Sequence, residues 1–144
     1  MQLMLFLTAV MSSFSNQFSD DVKHTKDSYE TIKKNIAAKK AVLVDVREKN
    51  EWDAGHLKQA KHIAWSKIRF ASPRKKMQGL PDDELIIYCH CKAGVRALNA
   101  AKKLQKMGYE VRPILAGFDK LVENGFEAVE PKDNKKNNSI RQKQ

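Results

Sequence analysis

Two cysteines flank a histidine at Cys89-His90-Cys91, and the second opens the run Cys91-Lys92-Ala93-Gly94-Val95-Arg96. A thiol at the start of a tight loop can be ringed by the backbone N–H groups that follow it. Gly94 lets the chain turn where a Cβ would clash. Successive N–H groups form an anion-binding nest, and a helix starting near Val95 adds its positive end. Lys92 and Arg96 bring full positive charge. All of these favour thiolate over thiol and suit an anionic species built on the sulfur. The run therefore predicts an activated nucleophile, Cys91, for an anionic electrophile, with Lys92, Ala93, Gly94, Val95 and Arg96 as its cradle. Cys89, two residues earlier, reads as a strand residue packed as a small hydrophobe. A disulfide across one intervening residue would be badly strained in an extended chain, so a free thiol is expected. Cys89-His90-Cys91 alternates sides and is too closely spaced for a zinc site.

The elements around this loop follow from patterning. Leu85-Ile86-Ile87-Tyr88-Cys89 is a buried strand that runs through His90 into the loop. Ala41-Val42-Leu43-Val44-Asp45-Val46 is another, apolar on both faces as in a parallel sheet. The spacing predicts a helix over 95–107, with Leu98, Ala101 and Leu104 inward and Lys102, Lys103 and Lys106 outward. Gly108 closes it. Asp27-Ser28-Tyr29-Glu30 has the form of a capping box ahead of a helix over 28–38. A short helix over 48–54 stops at Gly55, a short strand is expected at His62-Ile63-Ala64-Trp65, and 67–79 is basic and poorly patterned. A third main strand runs over 111–115, then a helix from Phe118 to Asn124 stopped by Gly125. Strands alternating with helices at this spacing indicate an α/β fold. Ligands in such folds bind outside the carboxyl ends of the strands, where the Cys91 loop should lie.

Cys-x-x-Gly-x-Arg between a hydrophobic strand and a helix resembles the active-site loop of the rhodanese superfamily. Leu43-Val44-Asp45-Val46-Arg47-Glu48, Glu51-Trp52 and Gly55-His56-Leu57 are similar to its Asp-Val-Arg and Gly-His segments, and Leu115-Ala116-Gly117 to its Leu-x-Gly segment. The resemblance covers about 22–129, and small exported rhodaneses of the phage-shock type are the nearest comparison. It departs at Phe118, which follows a single glycine, and at Leu121 or Val122, which stands near a Trp of many relatives.

The resemblance implies a three-layer α/β fold, a central mainly parallel sheet with helices on both faces. It also implies sulfur transfer from thiosulfate or a similar donor to cyanide or a thiol, through a persulfide on Cys91 and without metal or organic cofactor. A sulfur carrier or partner-binding module is the alternative. Related phosphatases and arsenate reductases place five residues between Cys and Arg; the four here, Lys92 to Val95, match the sulfur-transferring members. Arg96 either contacts the anion or anchors the loop on a carboxylate, for which Asp45 is the candidate. Arg47 and Glu48 read as structural, and His56 as a hydrogen-bonding support rather than a base.

The 144 residues suit one domain, placed at 22–131. Lys and Arg total 27 against 17 Asp and Glu, a net charge of +10 that favours anionic partners. Without a basic stripe interleaved with aromatics, nucleic acid is not an expected partner. No apolar run is long enough for an integral membrane span. The chain carries no charge before Asp20, and its apolar stretch from Leu3 to Met11 resembles a secretory signal core. Residues 1–21 are thus read as a signal or unstructured segment with cleavage near Ser15, giving a periplasmic or secreted protein, with the cytoplasm as alternative. The Lys- and Asn-rich stretch 132–144 is read as a basic disordered tail. A monomer or weak homodimer is expected.

Overall fold

The computed structural model describes residues 21–81 and 84–131; the expected signal segment before Asp21 and the expected basic tail after Pro131 lie outside the described residues. Eleven elements follow one another among them. They are α1 (Tyr29–Ala37), β1 (Ala41–Asp45), α2 (Lys49–Asp53), β2 (His56–Leu57), β3 (Ala60–His62) and α3 (Trp65–Phe70). Then come β4 (Ile86–His90), α4 (Val95–Gln105), β5 (Val111–Pro113), α5 (Phe118–Glu123) and β6 (Ala128–Val129).

The apolar runs of β1 and β4 become the two central strands because both of their faces are covered. The sheet order is β3-β1-β4-β5, with every pair parallel. Val44, Ile87, Cys89 and Val111 face one layer, where Ile68 of α3 and Ala97, Ala100, Ala101 and Leu104 of α4 complete a core. Ala41, Leu43 and Tyr88 face the other, against Ile32 of α1 and Leu121 of α5. This is the expected three-layer α/β arrangement. Its parallel register sets Asp45 beside both His90 and His62 at the carboxyl edge.

Several local expectations are corrected. The cap of α1 is Ser28, whose hydroxyl accepts from Thr31 N–H at 3.2 Å. Asp27 cannot serve, because its carboxylate accepts from Tyr88 Oη at 2.6 Å and Arg112 Nη1 at 2.9 Å. The short strand is Ala60–His62, not 62–65, since Trp65 already begins α3 and Ile68 anchors that helix in the core. On α4 the buried positions are Ala97, Ala100, Ala101 and Leu104, while Leu98 is only half-buried. Pairing ends β5 at Pro113 rather than Leu115, which is exposed. The antiparallel pair β2–β6 was not foreseen.

Candidate active site

Cys91 leaves the end of β4 and is only 1% exposed, packed on the α4 side of the sheet. Gly94 adopts φ +83, a left-handed conformation that glycine enters without a Cβ penalty. This turns its N–H back onto the cysteine, and Gly94 N–H donates to Cys91 Sγ at 3.1 Å. Gly94 is also the N-cap of α4, an eleven-residue helix, so the sulfur lies at a helix start whose partial charge favours an anion. The space around Gly94 is closed as well. A Cβ there would lie 2.8 Å from His24 Nε2 and 2.9 Å from Leu115 Cδ1.

The rest of the loop is held from two sides. A Cβ on Gly117 would collide with the carbonyl oxygen of Lys92, so the connection after β5 reaches the loop only because residue 117 lacks a side chain. That is the physical content of the Leu115-Ala116-Gly117 motif. On the other side Arg96 forms a two-pronged pair with Glu51, Nη1 to Oε2 at 2.6 Å and Nη2 to Oε1 at 2.8 Å. The Arg96 guanidinium is the chief cause that lowers the Glu51 carboxyl to about 2, with the Glu48 N–H and Arg47 helping against burial. Arg96 therefore anchors the loop, but on Glu51 and not on Asp45.

Asp45 is taken by a nearer cation. Arg47 Nε meets both carboxylate oxygens, at 3.1 and 2.9 Å, and Nη2 meets Oδ2 at 2.7 Å. The Arg47 backbone N–H also donates to Oδ1 at 2.9 Å, and its Nη2 to Gly55 O at 2.8 Å. This buried pair ties the end of β1 to the start of β2. Beside it His90 is 0% exposed, with neither ring nitrogen partnered among the described residues. Asp45 Oδ2 is 3.7 Å from its Nε2, too long for a hydrogen bond. Burial lowers the His90 pKa and favours the neutral ring, more than Asp45 opposes it.

His56, expected as a hydrogen-bonding support, makes two contacts with Trp52. Its Nδ1–H donates to Trp52 O at 3.1 Å and its ring stacks on Trp52 at 3.7 Å between centroids. His62, which the sequence did not single out, stacks on Trp52 at 4.9 Å and donates to Arg47 O at 2.9 Å. Cys89 is fully buried, with its thiol directed at Ala97 O at 3.4 Å. Burial pushes that thiol well up, with the neighbouring Cys91 adding to it. Both effects favour the protonated form of the Cys89 thiol.

Lys92 faces outward and lines a cleft of about 280 Å³ with Arg47, Glu51, Ala54, Gly55, Phe118 and Asp119. The Arg47 guanidinium lies over the Phe118 ring at 4.6 Å, so Phe118 forms a wall of the cleft. Glu51 and Asp119 make it mixed in charge.

Residues 28–124 match the rhodanese-like domain family. The chain belongs to the rhodanese-like family. An adenylyltransferase and sulfurtransferase of Candida albicans is 35% identical over 105 residues, which cover 70% of this chain and 23% of that protein. A putative sulfurtransferase of Bacillus subtilis is 31% identical over 88 residues, covering 60% of this chain and 80% of the relative. The chain thus spans less than a quarter of the first relative. Among solved structures, a rhodanese-related protein of Thermoplasma volcanium superposes with a TM-score of 0.57 at 25% identity. That match covers 70% of this chain and 93% of the other. The rhodanese-like segment takes in both central strands, the Cys91 loop and the Glu51–Arg96 anchor; the stretch carrying His24 precedes it.

Proposed function

We propose that the protein is a sulfurtransferase that moves a sulfane sulfur from thiosulfate or a similar anionic donor through a persulfide on Cys91. The observation that carries this reading is the Gly94 N–H on Cys91 Sγ at the start of α4, inside the four-residue Cys-to-Arg spacing. In the first step the Cys91 thiolate attacks the outer sulfur of thiosulfate. The S–S bond to the sulfonate breaks with its electron pair on the departing sulfite. The terminal sulfur of the resulting persulfide carries the negative charge, which the loop N–H groups and the helix start stabilise. In the second step cyanide or a thiolate attacks that terminal sulfur. Thiocyanate or an acceptor persulfide leaves, and Cys91 returns as thiolate. Lys92 draws the anionic donor to the cleft, and Glu51 holds Arg96 as an anchor rather than as a second anion ligand. Charge balance needs no redox partner in either step.

Steady-state kinetics with thiosulfate and cyanide test this. Parallel lines in double-reciprocal plots are expected. Sulfur uptake without turnover would assign the domain as a carrier that needs its partner. The uncharged apolar stretch Leu3 to Met11 supports export as part of the same reading. A mature N-terminus near Asn16 in an extracytoplasmic fraction is expected, and full-length protein in the cytosol would contradict it.

A further inference from the structure

The stretch that precedes α1 crosses the carboxyl edge of the sheet and is pinned there. Thr25 N–H donates to Pro113 O at 2.8 Å, and the Asp27 carboxylate binds Tyr88 Oη and Arg112. The Tyr88 hydroxyl is the chief cause holding the Asp27 carboxyl below its usual range. Just before these two pins His24 is half-buried and reaches the nucleophile's loop, with Nε2 3.1 Å from Gly94 O. A carbonyl oxygen only accepts, so Nε2 carries the proton in this contact. The same carbonyl accepts Leu98 N–H at 2.9 Å, the first turn of α4.

We propose that His24 is a positioning residue for sulfur transfer, fixing Gly94 so that its N–H stays aimed at Cys91 Sγ. The two contacts lie on either side of one α-carbon. Gly94 N–H to sulfur constrains φ, and Gly94 O to His24 and Leu98 constrains ψ. Glycine has no Cβ to restrict these angles, so a loop built on it needs outside restraints to keep one conformation. His24 supplies such a restraint from 70 residues away, and its Nε2 would lie 2.8 Å from a Cβ placed on Gly94. Without it the Gly94 carbonyl keeps only its helical partner. The peptide on the sulfur side then samples orientations in which the N–H leaves the thiolate and the later persulfide. This inference rests on Cys91 as the sulfur-accepting atom, and its test separates the two claims.

The experiment compares full-length wild type, His24→Ala, His24→Gln and Cys91→Ser. Iodoacetamide alkylation is followed from pH 5 to 9, alongside kcat and KM for thiosulfate and the thermal midpoint. Glutamine retains a donor at the reach of Nε2. Loss of one hydrogen bond predicts that His24→Ala slows Cys91 alkylation at neutral pH about 3- to 10-fold and moves its profile to higher pH. kcat should fall more than KM, and His24→Gln should recover most of the loss. Wild-type alkylation and kcat in His24→Ala would overturn the proposal. So would an equal loss in both variants that tracks a lowered thermal midpoint, since that is general destabilisation. Alkylation needs no sulfur donor, so it reads the loop even if thiosulfate is not used. Unchanged alkylation in Cys91→Ser would instead overturn Cys91 as the reactive thiol.

Discussion

Replacing Glu51 by glutamine tests the anchor of the active-site loop. The substitution keeps size and one acceptor oxygen but removes the charge that Arg96 grips with both nitrogens. The carboxyl is lowered from 4.5 to about 2 in the fold, chiefly by Arg96. At about 1.4 kcal/mol per pH unit that shift sets an upper bound of about 3.4 kcal/mol. The two side chains are 26% and 25% exposed, and solvent screening brings the expected loss at pH 7 to about 1.5–2.5 kcal/mol. The sign follows from the direction of the shift. A depressed carboxyl contributes fully well above its unfolded value of 4.5 and loses the contribution as pH falls through about 2. The gap between wild type and Glu51→Gln should therefore keep about three-fifths of its neutral value at pH 3.5 and about a quarter at pH 2.5. Urea unfolding at these three pH values measures it. A gap that stays constant with pH would refute the electrostatic argument, and no gap at pH 7 would show the pair to be fully screened.

Three further outcomes follow from the site. Lys92→Glu places a negative charge on the cleft, so KM for thiosulfate should rise about 3- to 10-fold at low salt and the effect should shrink at 0.5 M salt. Unchanged kinetics at low salt would mean that the backbone cradle alone handles the anion. Gly117→Ala drives a methyl into the Lys92 carbonyl and should cost about 1–3 kcal/mol with a lower kcat, read by thermal melting and turnover. Wild-type values for both would refute the close approach. Cys89→Ser puts a hydroxyl in a buried apolar site and should cost about 1–3 kcal/mol while keeping most turnover; turnover lost without unfolding would contradict that assignment.

The sequence made the Cys91 loop and its central strands legible for a definite reason. Runs such as Ala41–Asp45 and Ile86–His90 are apolar on both faces, so burial leaves them little choice but the middle of a parallel sheet. Cys91, Gly94 and the start of α4 are then local consequences of where β4 ends. The pairings between segments were harder to read. Several carboxylates lie near the end of β1 in sequence, and the one expected to hold Arg96 was Asp45 rather than Glu51. What decides is reach: Arg47, two residues on, takes Asp45 from several sides and leaves Glu51 facing Arg96 across 45 residues of chain. α3 has only Trp65 and Ile68 facing inward, too few to show a helical period. The two-residue strands β2 and β6 pair across some 70 residues with no pattern of their own. His24 gave no sign in sequence, because its role rests on a left-handed glycine in a loop far along the chain.

The central claim is that sulfur is carried on Cys91, and intact-protein mass spectrometry after thiosulfate treatment tests it most directly. Wild type and Cys89→Ser should each gain the mass of one sulfur atom, about 32 Da, reversed by cyanide with release of thiocyanate. Cys91→Ser should gain none and keep its fold, because a serine hydroxyl stays protonated at neutral pH and is a far weaker nucleophile than a thiolate. An added sulfur on Cys89 in the Cys91→Ser protein, or none on the wild type while turnover proceeds, would contradict the account.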